Sequence, residues 1–246
     1  MQVVIDGLLS EYELAGHGSL VVWIHGWGEN FTSNPLVEDL VATHSVLIVH
    51  LPGFGGSQSP KEAWGLGEYA IFVAHLLSKL ELADPLVIIG HSNGGAIAIK
   101  GLSEGVLSAD KLVLLASAGI RSKGHLAVKA IAKTGKLATV WLPVKYRNRL
   151  RQKLYRAAGS DLLVKPELSA SFKKIIRQDI VQDAANIRIP TLLVYGQEDK
   201  DTPPSDGRIL AGVIKQAELV VVPHAGHFAY TEQPDTIYKV IHKFID

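Results

Sequence analysis

The sequence predicts an α/β protein: a doubly wound, mostly parallel sheet with an inserted helical cap. Three observations carry this. Six short apolar runs punctuate the chain, at 20–24, 45–49, 86–89, 111–115, 191–195 and 219–222. Unbroken apolar runs of that length suit parallel strands covered on both faces. Helix-compatible stretches separate them, and strand–helix alternation winds a sheet with helices on either side. The alternation then stops between 118 and 190, where no strand-like run occurs. The 246 residues fit one large α/β domain or two small ones, and a hydrophobic content of 47% is ample for a core of that size. The predicted division is a core of residues 1–119 and 189–246 with a cap of residues 120–188.

Residues 3–14 alternate loosely around Asp6-Gly7, a two-residue turn signal, so the chain should open with a hairpin. The run 20–24 ends in His25-Gly26, and the run 45–49 leads to Pro52-Gly53-Phe54-Gly55-Gly56. Tyr69, Phe72, Val73, Leu76, Leu77 and Leu80 recur at helical spacing. The run 86–89 passes through Gly90-His91-Ser92-Asn93-Gly94 into Ala96-Ile97-Ala98-Ile99-Lys100, which reads as strand, tight turn and helix. Within the insertion, 127–133 and 144–158 look helical, with Pro143 and Pro166 as separators. Ile237, Val240, Ile241 and Phe244 mark a closing helix.

Composition excludes several classes. There is no cysteine, which removes disulfides, thiol nucleophiles and cysteine metal sites. No His-Glu-x-x-His occurs among the ten histidines, so the sequence predicts no metal. No apolar run reaches the roughly 18 residues of a membrane span. The first residues lack the basic-then-apolar pattern of a signal peptide, so a cytoplasmic location is the default expectation. The formal net charge of +1 hides an asymmetry: between 121 and 178 there are 15 Lys or Arg and only two acidic residues, Asp161 and Glu167. Arg147, Arg149, Arg151 and Lys153 alternate along a predicted helix and would spread around it, which argues against a nucleic-acid face. A solvated helix surface explains them most simply. An anionic substrate or an acidic membrane surface is the functional alternative.

Gly90-x-Ser92-x-Gly94 carries chemistry. A serine on a sharp strand-to-helix turn sits in strained backbone geometry, and side chains two residues before and after it would clash. Its hydroxyl projects at a helix N-terminus, where free N–H groups can meet a developing negative charge. A serine nucleophile needs a base, usually histidine, oriented by a carboxylate. Such groups belong in the loops after strand C-termini. The run 191–195 leads into Gly196-Gln197-Glu198-Asp199-Lys200-Asp201-Thr202-Pro203, and 219–222 into Pro223-His224-Ala225-Gly226-His227-Phe228.

At this point the chain resembles the α/β-hydrolase fold superfamily, as a small serine hydrolase with a helical cap insertion. The resemblance runs from His25-Gly26 to Glu232-Gln233-Pro234, apart from the cap interior. It implies a catalytic triad in the chain order Ser, acid, His. The acid falls on Asp199, from the family pattern Gly-x-x-Asp-x-x-x-Pro; Asp201, Glu198 and Asp206 then read as solvated or helix-capping carboxylates. The base falls on His227, in Gly226-His227-Phe228, and His224 is a surface histidine. The implied oxyanion hole consists of the backbone N–H groups of Trp27 and Asn93, with His25 as a structural histidine. Gly53-Phe54-Gly55-Gly56-Ser57 matches a family loop, and no Lys-Ser or Lys-Thr pair makes it a phosphate loop. Asn93 departs from the commoner Met, Leu or Gln and clouds substrate analogy.

Ser92 excludes relatives that use Asp at this turn, such as haloalkane dehalogenases and epoxide hydrolases. The implied activity is carboxylesterase-like: cleavage of an ester, lactone or thioester of a small-molecule acyl substrate, without cofactor. The alternatives are a carbon–carbon bond hydrolase or acyltransferase on the same triad, or a receptor-like binding protein that retains it. The cap would close over Ser92, with Trp141 as a pocket residue.

Overall fold

The computed structural model of the chain describes residues 1–29, 34–121 and 165–246. Its centre is an eight-stranded sheet of order β1-β2-β4-β3-β5-β6-β7-β8. The strands are β1 (Gln2–Ile5), β2 (Leu8–Ala15), β3 (Leu20–Ile24), β4 (Ser45–Val49), β5 (Val87–His91), β6 (Lys111–Leu115), β7 (Thr191–Gly196) and β8 (Ala217–Val222). Asp6 and Gly7 both have positive φ, 51° and 78°, and close the predicted hairpin with the twist that two-residue turns require. β2 runs antiparallel to β1 and β4, and every later pairing is parallel.

The apolar runs are unbroken because alternate residues enter two different cores. Val22 and Ile24 of β3, Ile88 of β5, Leu112 and Leu114 of β6, and Leu193 and Tyr195 of β7 face one side. Val21, Trp23, Val87, Ile89, Val113, Leu115, Leu192 and Val194 face the other. The first side is covered by α2 (Leu66–Lys79), α3 (Asn93–Ser103) and α6 (Pro204–Val213), and the second by α1 (Pro35–Leu40), α7 (Ala229–Glu232) and α8 (Pro234–Ile245). In α2, Leu66, Tyr69, Ala70, Phe72, Val73 and Leu76 are buried, the single apolar stripe expected of a surface helix. Glu68 caps its N-terminus by accepting from Gly65 N–H at 2.9 Å. The short helix α1 carries no long periodic pattern; it is fixed by Asn34, whose side chain accepts from Leu36 N–H at 3.2 Å, and by Pro35.

The parallel register pairs Ile24 with Gly90, His91 with Leu115, and Gly196 with Val222. The loops that follow these strands therefore gather at one edge of the sheet. The described end of the predicted insertion comprises a 3-10 turn at Pro166–Leu168, α4 (Ser169–Ile175) and α5 (Val181–Ala184). Trp64 N–H donates to Ser171 Oγ at 3.0 Å, Ile180 N–H to Gly119 O at 3.1 Å, and Lys174 pairs with Glu68. The helices expected at 127–133 and 144–158, and Trp141, lie outside the described residues.

Candidate active site

Ser92 sits between β5 and α3 with φ 50° and ψ −115°. This conformation is strained for any residue with a Cβ. Its surroundings enforce it: Ser92 N–H donates to Leu115 O, and Ser92 O accepts from Ala118 N–H, both at 2.9 Å. The flanking glycines are steric requirements. A Cβ on Gly90 would lie 2.6 Å from Gly95 Cα, and one on Gly94 would run into the Ile24 carbonyl.

The loops after β7 and β8 bring Asp199 and His227 together, with Asp199 Oδ2 2.8 Å from His227 Nδ1. Asp199 is buried and ringed by donors. Its Oδ1 accepts from Asp201 N–H at 2.8 Å and Thr202 N–H at 2.9 Å; the Thr202 hydroxyl lies 2.8 Å from Oδ2. Burial alone would raise its pKa. The hydrogen bond and charge of His227, with the Thr202 donors, outweigh burial and hold it below the usual carboxylate value. Asp199, Asp201 and His227 are close enough together to suggest a metal group. The four donors around the Asp199 carboxylate, however, use the lone pairs a cation would need. Asp201 is exposed and contributes its backbone N–H. His224 is also exposed, 3.7 Å from Glu198.

Asp206, among the alternative carboxylates, is 1% exposed in the first turn of α6, where its charge acts on the buried Tyr195. Ser57 is structural: its hydroxyl donates to His50 O at 2.7 Å and accepts from Glu11 N–H at 2.8 Å.

The loop after β3 borders Ser92. A Cβ on Gly26 would lie 3.1 Å from Ser92 Cβ. His25 is fully buried, and burial pushes its pKa down to about 4, against the opposing charge of Glu29. The neutral ring donates from Nδ1 to Gly26 O at 2.6 Å and accepts at Nε2 from Leu51 N–H at 3.1 Å, so it ties the loops after β3 and β4 together. Trp27 packs against Phe54 and Phe172, with ring centroids 5.0 and 5.1 Å apart. Among the described residues, neither Trp27 N–H nor Asn93 N–H has an acceptor. The buried Trp27 indole Nε1 also lacks a partner among the described residues.

Sequence reasoning missed a buried network beside these residues. Glu29 Oε2 accepts from Gly26 N–H at 2.6 Å and lies 3.1 Å from His91 Nδ1; Glu29 Oε1 accepts from the Tyr230 hydroxyl at 2.5 Å. His91 Nε2 lies 3.0 Å from the carbonyl oxygen of His227. Burial would raise the Glu29 pKa, but the hydrogen bond and charge of His91, the charge of His25 and the Tyr230 hydroxyl bring it to about 2. The available sequence signal was an acidic residue three positions after Gly26. Thr202 was likewise unremarked.

Known proteins resemble the chain along nearly its whole length. It is 27% identical over 257 residues to the AB hydrolase superfamily protein YisY of Bacillus subtilis, covering 93% of this chain and 92% of that protein. It is 24% identical to the 2-hydroxy-6-oxo-2,4-heptadienoate hydrolase of Pseudomonas putida, covering 99% and 95%. The enol-lactonase of Burkholderia xenovorans has the same fold, with a TM-score of 0.77 at 22% identity over 100% of this chain and 99% of that one. The sequence pattern of the alpha/beta hydrolase family matches residues 21–240, and the chain belongs to that family.

Proposed function

We propose that the protein is a carboxylesterase-like serine hydrolase that opens an ester, lactone or thioester through an acyl-enzyme. The observation that carries this reading is the 2.8 Å contact between Asp199 and His227, whose carbonyl oxygen lies 3.0 Å from the ring of His91, the residue before the strained Ser92. Ser92 Oγ attacks the acyl carbonyl and passes its proton to His227. Asp199 holds the ring through Nδ1 and stabilises the imidazolium that forms. The tetrahedral oxyanion rests on the N–H groups of Trp27 and Asn93. Collapse expels the alcohol, thiol or ring oxygen, which takes the proton from His227. Water then attacks the acyl-enzyme, with His227 again as base.

Residues 120–188 act as a lid that selects the acyl group. The contact of Phe172 with Trp27 supports this, because it brings the end of the insertion against the loop that borders Ser92, and Leu168 packs against Gly53 in the neighbouring loop. Trp141 as a pocket residue and the basic surface as an attractor for anionic substrates are part of the same proposal. A carbon–carbon bond hydrolase on the same triad is the second reading, favoured by the likeness to the Pseudomonas putida hydrolase.

A panel of p-nitrophenyl esters, lactones, thioesters and a 2-hydroxy-6-oxo dienoate tests both readings. Turnover of the oxygen or sulfur acyl compounds, lost in Ser92→Ala, supports the first. Turnover of the dienoate alone selects the second. A folded protein that turns over none of them belongs with receptor-like binders.

A further inference from the structure

The Glu29 carboxylate joins three parts of the site that the sequence keeps far apart. It accepts from Gly26 N–H in the loop that carries Trp27, faces the ring of the residue before Ser92, and accepts from Tyr230, three residues after His227. The Glu29 side chain is 7% exposed, and His91 and Tyr230 are also buried. The His91 ring continues the chain of contacts to the His227 carbonyl oxygen. The two oxygens that face this ring, Glu29 Oε2 at Nδ1 and the His227 carbonyl oxygen at Nε2, hold it from both sides. It meets the Tyr230 ring in a T-shaped contact, with centroids 5.1 Å apart.

We infer that Glu29, with His91 and Tyr230, is a positioning clamp: it fixes the oxyanion loop, the nucleophile turn and the base loop at one spacing. This inference rests on the hydrolase reading above. None of the three residues needs to touch substrate. With its N–H held by Glu29 and its carbonyl by His25 Nδ1, the Gly26 main chain is fixed at both polar groups. That sets the direction of the next N–H, on Trp27. Misplacement of catalytic groups by about 1 Å lowers turnover by about 10²-fold, so loss of the clamp should act on kcat and leave KM in place.

Gln at position 29 can replace Glu with every partner kept. Its oxygen takes the Oε2 position toward Gly26 and His91, and its amide donates to a Tyr230 hydroxyl turned to accept. The role is therefore one of shape and hydrogen bonding, and Gln should restore what Ala removes.

The test is kcat and KM for p-nitrophenyl acetate, measured per folded site in Glu29→Ala, Glu29→Gln, Tyr230→Phe and Ser92→Ala. The clamp predicts a kcat about 10²-fold lower in Glu29→Ala with KM within about threefold. It also predicts at least about tenfold recovery in Glu29→Gln. A folded Glu29→Ala with wild-type kcat, a change confined to KM, or a Glu29→Gln no better than Glu29→Ala overturns it. If Glu29→Ala does not fold, Tyr230→Phe decides: a lower kcat at unchanged KM supports the clamp, and wild-type kcat overturns it. Ser92→Ala separates the two claims. Wild-type turnover in that variant defeats the hydrolase reading and the clamp with it. An inactive Ser92→Ala beside a fully active Glu29→Ala defeats the clamp alone.

Discussion

The Asp199 carboxylate meets His227 at 2.8 Å, and the Thr202 hydroxyl lies within hydrogen-bond distance of both, at 2.8 Å from Asp199 Oδ2 and 3.1 Å from His227 Nδ1. The carboxylate is thus held by its own loop as well as by the histidine. Asp201, two residues on, contributes a backbone N–H to that hold and leaves its side chain in solvent.

This arrangement ranks two substitutions. Asp199→Asn removes the charge that stabilises the imidazolium and should lower turnover by about 10³- to 10⁴-fold. Asp201→Asn keeps the backbone bond and should stay within about threefold of wild type. Initial rates with p-nitrophenyl acetate check the ranking, and the reverse order would move the acid to Asp201.

Trp27 separates backbone from side chain. Its N–H is the proposed oxyanion donor, whereas its buried indole Nε1 has no partner among the described residues. Trp27→Phe retains the N–H and an aromatic ring against Phe54 and Phe172, and removes a buried donor whose isolation costs about 1–3 kcal/mol. Turnover should remain within about threefold, and the melting temperature should hold or rise. A loss of kcat by 10²-fold or so in a folded variant would mean that the indole itself takes part in the reaction.

Acid should destabilise the fold in two stages. The unfolded chain protonates histidine near pH 6.5, whereas buried His25 resists protonation down to about 4. Between those values the unfolded state binds more protons, so stability is complete above about pH 6.5 and falls as pH drops toward 4. Glu29 adds a second loss as pH falls from its unfolded value of about 4.5 toward about 2. Each stage is worth on the order of 3 kcal/mol. Thermal melts from pH 8 to 3 should show Tm falling already below pH 6.5, with the lower stage weakened in Glu29→Gln. A Tm that is flat between pH 7 and 4.5 would contradict the assignment to His25.

The sheet was legible because its strands are buried on both faces, so 20–24, 45–49 and 111–115 read as apolar runs and form strands over those same residues. The Ser92 turn was legible because its steric demand falls on Gly90 and Gly94, which no other residue can replace. The pairing of Asp199 with His227 came from a family pattern and chain order. The Glu29 network was hidden because it depends on hydrogen bonds between residues 62 and 201 positions apart, and no spacing rule links an acidic loop residue to His91 and Tyr230. Short helices such as α1 were missed because six residues are too few to establish a period.

Whether Ser92 is the nucleophile is read by mass spectrometry after reaction with a serine-directed phosphonate. One adduct per chain is expected, mapped by peptide digestion to the segment bearing Ser92. That adduct should be absent from Ser92→Ala and strongly slowed in a His227→Ala variant. An adduct on Ser57 or Ser117 instead, or equal labelling of the Ser92→Ala chain, would contradict Ser92 as the nucleophile.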